Sequence, residues 1–290
     1  MKGVPAMKGS KILKCVLPVI ILLIIFYIAG INYYWRDKAV ISRIKSINGS
    51  IRTVTDSDLT IMTYNIHHGV GHDGKLNMSR IQAIIEQSGA RIIGLNEVDN
   101  KMFRSRFQNQ AKILADNLGM SYVFAPAMRS IVGSYGNAII TSFKINEVRN
   151  HPLPVKIGFE PRGMLEAEVI LPGGRVLHVF STHLSHEEKE RARQMEWINN
   201  YIRKLDSPFV LMGDFNGERG VCEEMDLFLE TDMTFPAGDP GRRLDVFLSN
   251  CNITESYTLH SGGSDHLPFV IKLNWSGGKL CFGGNSEDEI

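Results

Sequence analysis

Asn65, Glu97, Asp214, Asn216, Asp245 and Asp265 offer amide or carboxylate oxygens, His183 and His266 offer imidazoles, and each borders or enters a short apolar run. Leu59 to Tyr64 leads into Asn65, Ile92 to Leu95 into Asn96 and Glu97, and Val176 to Thr182 into His183. Phe209 to Gly213 leads into Asp214, Phe215 and Asn216; Asp245 lies in the run Leu244 to Leu248, and Ser264, Asp265 and His266 open the last run. Oxygen donors such as Asn65, Glu97 and Asp265 suit a hard divalent cation, Mg²⁺ first with Mn²⁺ as a substitute, whereas zinc favours nitrogen and sulfur. A cation so held neutralises and polarises a phosphate, and a histidine paired with a carboxylate carries charge or a proton near pH 7.

Taken singly, these motifs are weak. Asn65 alone reads as a strand-end turn residue, and Asp214 with Asn216 as a turn capped by its own side chains. Asp245 differs, because a carboxylate in an apolar strand needs a partner, and an orienting bond to His266 supplies one. His67, His68, His72 and Asp73 form a further polar cluster, read as loop residues beside the cleft in preference to a second metal site. His186 reads as a surface or capping residue and His178 as part of the sheet surface. Lys101, Arg104 and Arg106 either guide an anionic substrate or form a solvated loop.

Residues delivered from so many runs converge only if the runs are strands of a layered α/β domain, since strands fix the backbone and leave the following loops free to shape a cleft. Strands are expected at Leu59 to Tyr64, Arg91 to Leu95, Ser121 to Ala125, Asn137 to Ser142, Met164 to Leu171, Arg175 to Ser181, Phe209 to Met212, Leu244 to Leu248 and Leu267 to Leu273. Helical patterns cover Met78 to Gln87, Phe107 to Leu118, Glu187 to Leu205 and Cys222 to Glu230. Pro172, Gly173 and Gly174 join two apolar runs as a hairpin turn, so the sheets cannot be purely parallel.

Six segments together carry a resemblance: Tyr64-Asn65, Asn96-Glu97-Val98, Ser181-Thr182-His183, Gly213-Asp214-Phe215-Asn216, Arg243-Leu244-Asp245 and Ser264-Asp265-His266-Leu267-Pro268. In this order they resemble the signature of the endonuclease/exonuclease/phosphatase family, over about residues 59 to 273. The resemblance implies a four-layered α/β sandwich, two mixed β-sheets face to face with helices outside. It implies Glu97 as principal metal ligand with Asn65 and Asp265 beside it, Asp214 as the group that orients and deprotonates water, and Asn216 holding that water or a phosphate oxygen. His266, oriented by Asp245, and His183 would bind phosphoryl oxygens and help move protons. Asn137 and Arg162 fall where the family places substrate-side loops. One departure is Asn96, which stands where glutamine is common; a change of surroundings, not loss of activity, is expected.

Nine of the 32 Lys/Arg and two of the 31 Asp/Glu fall in residues 1–57, which leaves 23 basic against 29 acidic residues in the body. The body is near −6 (about, by formal count), which excludes a broad cationic nucleic-acid surface. The four cysteines form neither a disulfide framework nor a zinc pattern. Residues 1–14 read as a basic tail, 15–35 as one transmembrane signal anchor free of charge, 36–57 as a tether, 58–275 as the catalytic domain and 276–290 as a flexible tail. The order of basic tail and apolar span suggests a single-pass membrane protein with its domain on the extracytoplasmic side. An anchored acidic body favours a phosphodiester substrate at the bilayer, a phospholipid or glycolipid headgroup. The alternatives are a membrane-tethered nuclease and a silent binding module of the same fold.

Overall fold

The computed structural model describes residues 16–27, 58–217 and 227–274. Two six-stranded sheets form the body. The first contains β1 (Asp58–Asn65), β2 (Ile92–Asn100), β3 (Ser121–Arg129), β4 (Ser134–Thr141), β11 (Ile253–Thr258) and β12 (Phe269–Asn274), in the order β11-β12-β1-β2-β4-β3. The second contains β5 (Lys144–Pro152), β6 (Gly163–Ile170), β7 (Val176–His183), β8 (Phe209–Asp214), β9 (Phe228–Thr231) and β10 (Asp245–Ser249), in the order β5-β6-β7-β8-β10-β9. Each sheet has one parallel pair, β1 with β2 and β7 with β8, and antiparallel neighbours otherwise. Both sheets are therefore mixed, as the hairpin at Pro172–Gly174 requires.

Alternation places one side of each strand between the sheets, where Ile61, Ile92, Ile139, Val179, Met212 and Phe269 pack in a common core. Helix α1 spans residues 16–27. The outer face of the first sheet carries α2 (Met78–Ser88) and α3 (Gln110–Leu118), and that of the second carries α4 (Glu188–Ile202). Met78, Ile81 and Ile85 of α2 recur at helical spacing and are buried on Met62, Ile93 and Val270, each such side chain contributing roughly 1.5–3 kcal/mol. Asn77 starts this helix by accepting from Ser79 N and Arg80 N, and Gly89 ends it in the left-handed conformation. Asn109 and Gly119 do the same for α3, which is why that helix begins at Gln110 and not at Phe107 as expected.

Three strands lay outside the sequence reading. β5 and β11 are edge-lying and mostly half-exposed or exposed, so they lack the apolar signal that marked the others. Strand β9 replaces the end of the helix expected over Cys222 to Glu230; residues 218–226 lie outside the described residues. The tether at 36–57 and the tail at 276–290 also lie outside them. Of the expected anchor only 16–27 is described, as a helix with every residue exposed. Among the described residues no helix is long and apolar enough to cross a membrane.

Candidate active site

The two parallel pairs end at the same edge of the sandwich. Asn65 is in register with Asn96 where β1 and its pairing with β2 end, and His183 with Asp214 at the end of β7 and β8. Asp245 enters β10 opposite Asp214. Asp214 is buried and collects the site: its Oδ2 accepts from Asn65 Nδ2 (3.0 Å) and lies 3.5 Å from both His183 Nε2 and His266 Nε2. Its Oδ1 accepts from Asn216 N (2.9 Å), and Asn216 Nδ2 meets His183 Nε2 at 3.0 Å. On the far side of His266, Nδ1 is 2.8 Å from Asp245 Oδ2, which also accepts from Thr234 Oγ1 at 2.6 Å.

Backbone geometry at these positions is specialised. Gly213, just before Asp214, has φ +147°, and a Cβ there would stand 1.8 Å from Thr182 O, so only glycine lets β7 and β8 close at this point. Glu97 and Asn216 hold positive φ of 58° and 53°, and the β2–β4 register shifts between Leu95 and Val98. This bulge turns the Glu97 side chain out of the sheet alternation toward Asn65, whose Nδ2 donates to Glu97 Oε1 at 3.2 Å.

Glu97 is the centre of the group that fits a cation. His67, His68 and Glu97 offer ligand atoms that all lie within 4.8 Å of one another. His68 Nδ1 is buried, makes no hydrogen bond among the described residues and stands 3.9 Å from Glu97 Oε2. His67 Nδ1 is 3.8 Å from Asp265 Oδ1, so this histidine links the expected ligands Glu97 and Asp265. Asn65 presents its NH₂ to Glu97 and Asp214, while its Oδ1 accepts from His67 N. The two histidines, expected as cleft loop residues, thus lie with Glu97 in the group of side chains that could hold a cation; their place directly after Asn65 was the available signal. His72 packs by Gly238 and Asp73 pairs with Arg80.

The electrostatics separate the titratable groups by role. Burial tends to raise the Glu97 carboxyl, but His68, His183 and Asn65 outweigh it and hold the group down at about 2. Asp214 is pushed up to about 6 by burial, against the opposing charge of His266. Burial pulls His266 down, yet the Asp245 carboxylate more than offsets this and takes it up to about 9. His183 is pushed far below its ordinary value by burial and then by the charge of Arg162. Near pH 7 the site therefore combines a cationic His266, a neutral His183 and a carboxylate poised close to neutrality.

Asn137 sits inside the structure that supports the site. Its Oδ1 accepts from Asn96 Nδ2 (2.9 Å) and its Nδ2 donates to Gly163 O (2.9 Å). Asn96 also donates to Thr182 O (2.9 Å) and accepts from Asp214 N (3.0 Å), joining the two sheets directly behind the reacting groups. Arg162 is buried, donates to Glu160 at 3.3 Å and leaves its Nε without a hydrogen bond among the described residues. Arg104 is held by both oxygens of Asp99; His178 pairs with Glu166 and His186 is exposed.

The family model described as Endonuclease/Exonuclease/phosphatase family matches residues 62–266, more than half of the chain. The chain belongs to the endonuclease/exonuclease/phosphatase family. Members of this family are hydrolases of phosphoester bonds and generally depend on divalent metal. Among solved structures the chain is similar in fold to a family protein of Beutenbergia cavernae, with 22% identity over 75% of this chain and 71% of that one and a TM-score of 0.59. It is likewise similar to the mannosyl-6-phosphatase of Bacteroides thetaiotaomicron, with 18% identity, 74% and 99% coverage and a TM-score of 0.59. The human Nocturnin catalytic domain with bound sulfate anion gives 18% identity, 82% and 97% coverage and a TM-score of 0.58. No curated protein matches the chain.

Proposed function

We propose that the chain is a Mg²⁺-dependent phosphodiesterase that hydrolyses a lipid headgroup ester, or a similar substrate near a membrane, by in-line attack of water. The observation that carries this reading is Asp214, buried at the meeting of the sheets with Asn65, His183 and His266 within 3.5 Å of one oxygen. Glu97, Asn65 and Asp265 hold the metal in this reading, with His67 and His68 beside them. Bound there, the cation polarises the phosphate and offsets its charge. Asp214 takes a proton from the attacking water as the bond to the leaving oxygen breaks, and His266 gives that oxygen its proton. Asp214 then returns the proton to His266. Asn216 orients the water or a phosphate oxygen, and Arg162 faces the remaining phosphate charge.

The location near a bilayer is supported by the uncharged stretch Cys15 to Trp35 and by the exposed apolar side chains of residues 16–27. We place the domain outside the cytoplasm on the order of basic tail and apolar span. The test is a screen of the full chain with Mg²⁺ against phospholipid vesicles, nucleic acids and phosphomonoesters, with Glu97→Gln as the blank. Release of a phosphorylated headgroup is expected. Plasmid nicking without lipid cleavage would replace the lipid reading with a nuclease, and cation binding without any turnover would replace it with a binding module.

A further inference from the structure

A cleft of about 440 Å³ opens beside the reacting groups, between the start of α4 and the segment before β10. It shares Asn216 with the site and, among the described residues, is lined by Arg191, Arg242 and Arg243 with the carboxylate of Glu188. Three guanidinium groups in one cleft are notable on a body whose formal charge is about −6. The volume lies within the range of small-molecule sites, about 300–1,000 Å³.

The cleft is open to solvent, with Arg242, Arg243 and Glu188 exposed and Arg191 half-buried, yet two of its arginines are held in place. Arg191 is fixed by donation from Nη1 to Ser185 O (3.1 Å) and His186 O (3.0 Å). Gly217 lies so close to its guanidinium that a Cβ there would meet Nη2 at 3.1 Å and Cζ at 3.2 Å. Across the cleft, the Arg242 guanidinium stands over the Phe235 ring at 5.6 Å, and that ring packs on the His266 imidazole at 4.9 Å. The Arg242 backbone is tied to Phe235 at both ends, with Arg242 N donating to Phe235 O and Phe235 N to Arg242 O. Through Asn216 in its lining and through Phe235, which lies between Arg242 and His266, the basic cleft is linked to the groups expected to bind the scissile phosphate.

Guanidinium groups match phosphate in charge and in the planar spacing of their donors. We propose that this cleft binds a second phosphate group carried by the substrate, so that the preferred substrate is a phosphodiester bearing a further phosphate on its headgroup. The proposal deepens the phosphodiesterase reading and rests on it. It adds Arg191, Arg242 and Arg243 as specificity determinants, with Glu188 opposing them.

The test compares full-chain hydrolysis of glycerophosphoinositol and glycerophosphoinositol 4-phosphate, and of the corresponding lipids in vesicles. A ratio of kcat/KM of about ten or more in favour of the doubly phosphorylated member is expected. Arg191→Gln and Arg242→Gln should each collapse that ratio, Arg242→Lys should retain part of it, and Glu188→Gln should raise it. The rise is a change that misfolding cannot produce. Preference in the soluble pair locates recognition in the headgroup alone; preference only in vesicles assigns it to phosphate at a bilayer surface. A ratio near one in both pairs overturns the proposal, as does a ratio insensitive to the arginine variants. A separate readout is binding of inorganic pyrophosphate to the Glu97→Gln protein without metal, which the arginine variants should weaken. If the wild-type chain hydrolyses neither pair while pyrophosphate binding still depends on the arginines, the hydrolase reading fails and the anion cleft stands. If hydrolysis proceeds without preference and pyrophosphate binding ignores the arginines, the reverse holds.

Discussion

His266 is held between two carboxylates, its Nδ1 2.8 Å from Asp245 Oδ2 and its Nε2 3.5 Å from Asp214 Oδ2. The inner bond fixes which ring nitrogen points into the site, and the buried charge of Asp245 keeps the ring protonated up to about 9. Asp245 in turn is held by Thr234, a residue with no motif around it and so invisible to pattern reading.

Asp245→Asn should lower kcat by about 10²- to 10⁴-fold without removing the fold. In the proposed mechanism Asp214 acts ionised and His266 protonated, so the wild-type rate should rise through about pH 6 and fall through about pH 9. With the Asp245 charge gone, the alkaline limb should move toward lower pH. A pH–rate profile with an unmoved alkaline limb would show that Asp245 does not act through His266. The same raised group stabilises the fold fully below its unfolded value of 6.5 and loses that contribution as pH rises through about 9.

Asn96 uses both ends of its amide to join Asn137, Thr182 O and Asp214 N, all buried. Asn96→Ala leaves these partners unsatisfied at the contact between the sheets, and a loss of about 3 kcal/mol is expected from the cost of stranded buried polar groups. Urea unfolding measures it. Turnover should fall as well, because Asp214 loses a backbone anchor; an Asn96→Ala protein of unchanged stability would mean that the sheets are not tied here.

Glu166 belongs to a cluster on the outer face of the second sheet, where its carboxylate meets His151 (2.6 Å), His178 (3.0 Å) and Tyr201 (2.8 Å). Burial tends to raise this carboxyl, but the bonds from His151, His178 and Tyr201 prevail and hold it well below the usual range. A depressed carboxylate contributes stability above its unfolded value and loses it as pH falls through the folded value. The melting temperature of wild type should therefore exceed that of Glu166→Gln at pH 7, with the gap closing below the ordinary value of 4.5. Parallel melting curves across that range would sink the assignment.

Sequence made the frame legible because the central strands are apolar and end in polar residues. Asn65, His183 and Asp214 could be placed at strand ends, and the structure brings them together with Asn216 and His266 around one carboxylate. What escaped was information carried across the sandwich. Asn96 differs from its neighbours only in what it bonds on the opposite sheet, and β5 and β11 are held by their partner strands in spite of their polar faces. The histidines after Asn65 escaped for another reason: the positive φ of His67 and His68, 43° and 44°, folds the chain back beside Glu97. Such a turn has no periodic pattern to announce it.

That turn leads to a prediction about metal preference. An oxygen set of Glu97, Asn65 and Asp265 favours Mg²⁺, whereas imidazoles added to it favour Mn²⁺, which accepts nitrogen more readily. His68 Nδ1 is buried 3.9 Å from Glu97 Oε2 and has no hydrogen bond among the described residues, which leaves it placed to take part. His68→Ala should weaken Mn²⁺ binding more than Mg²⁺ binding, by about tenfold in the ratio of the two dissociation constants. Calorimetric titration of the full chain with each ion gives that ratio directly. If both constants change equally, His68 acts on Glu97 by charge alone; if neither changes, the imidazole takes no part and the cation belongs to the oxygen set.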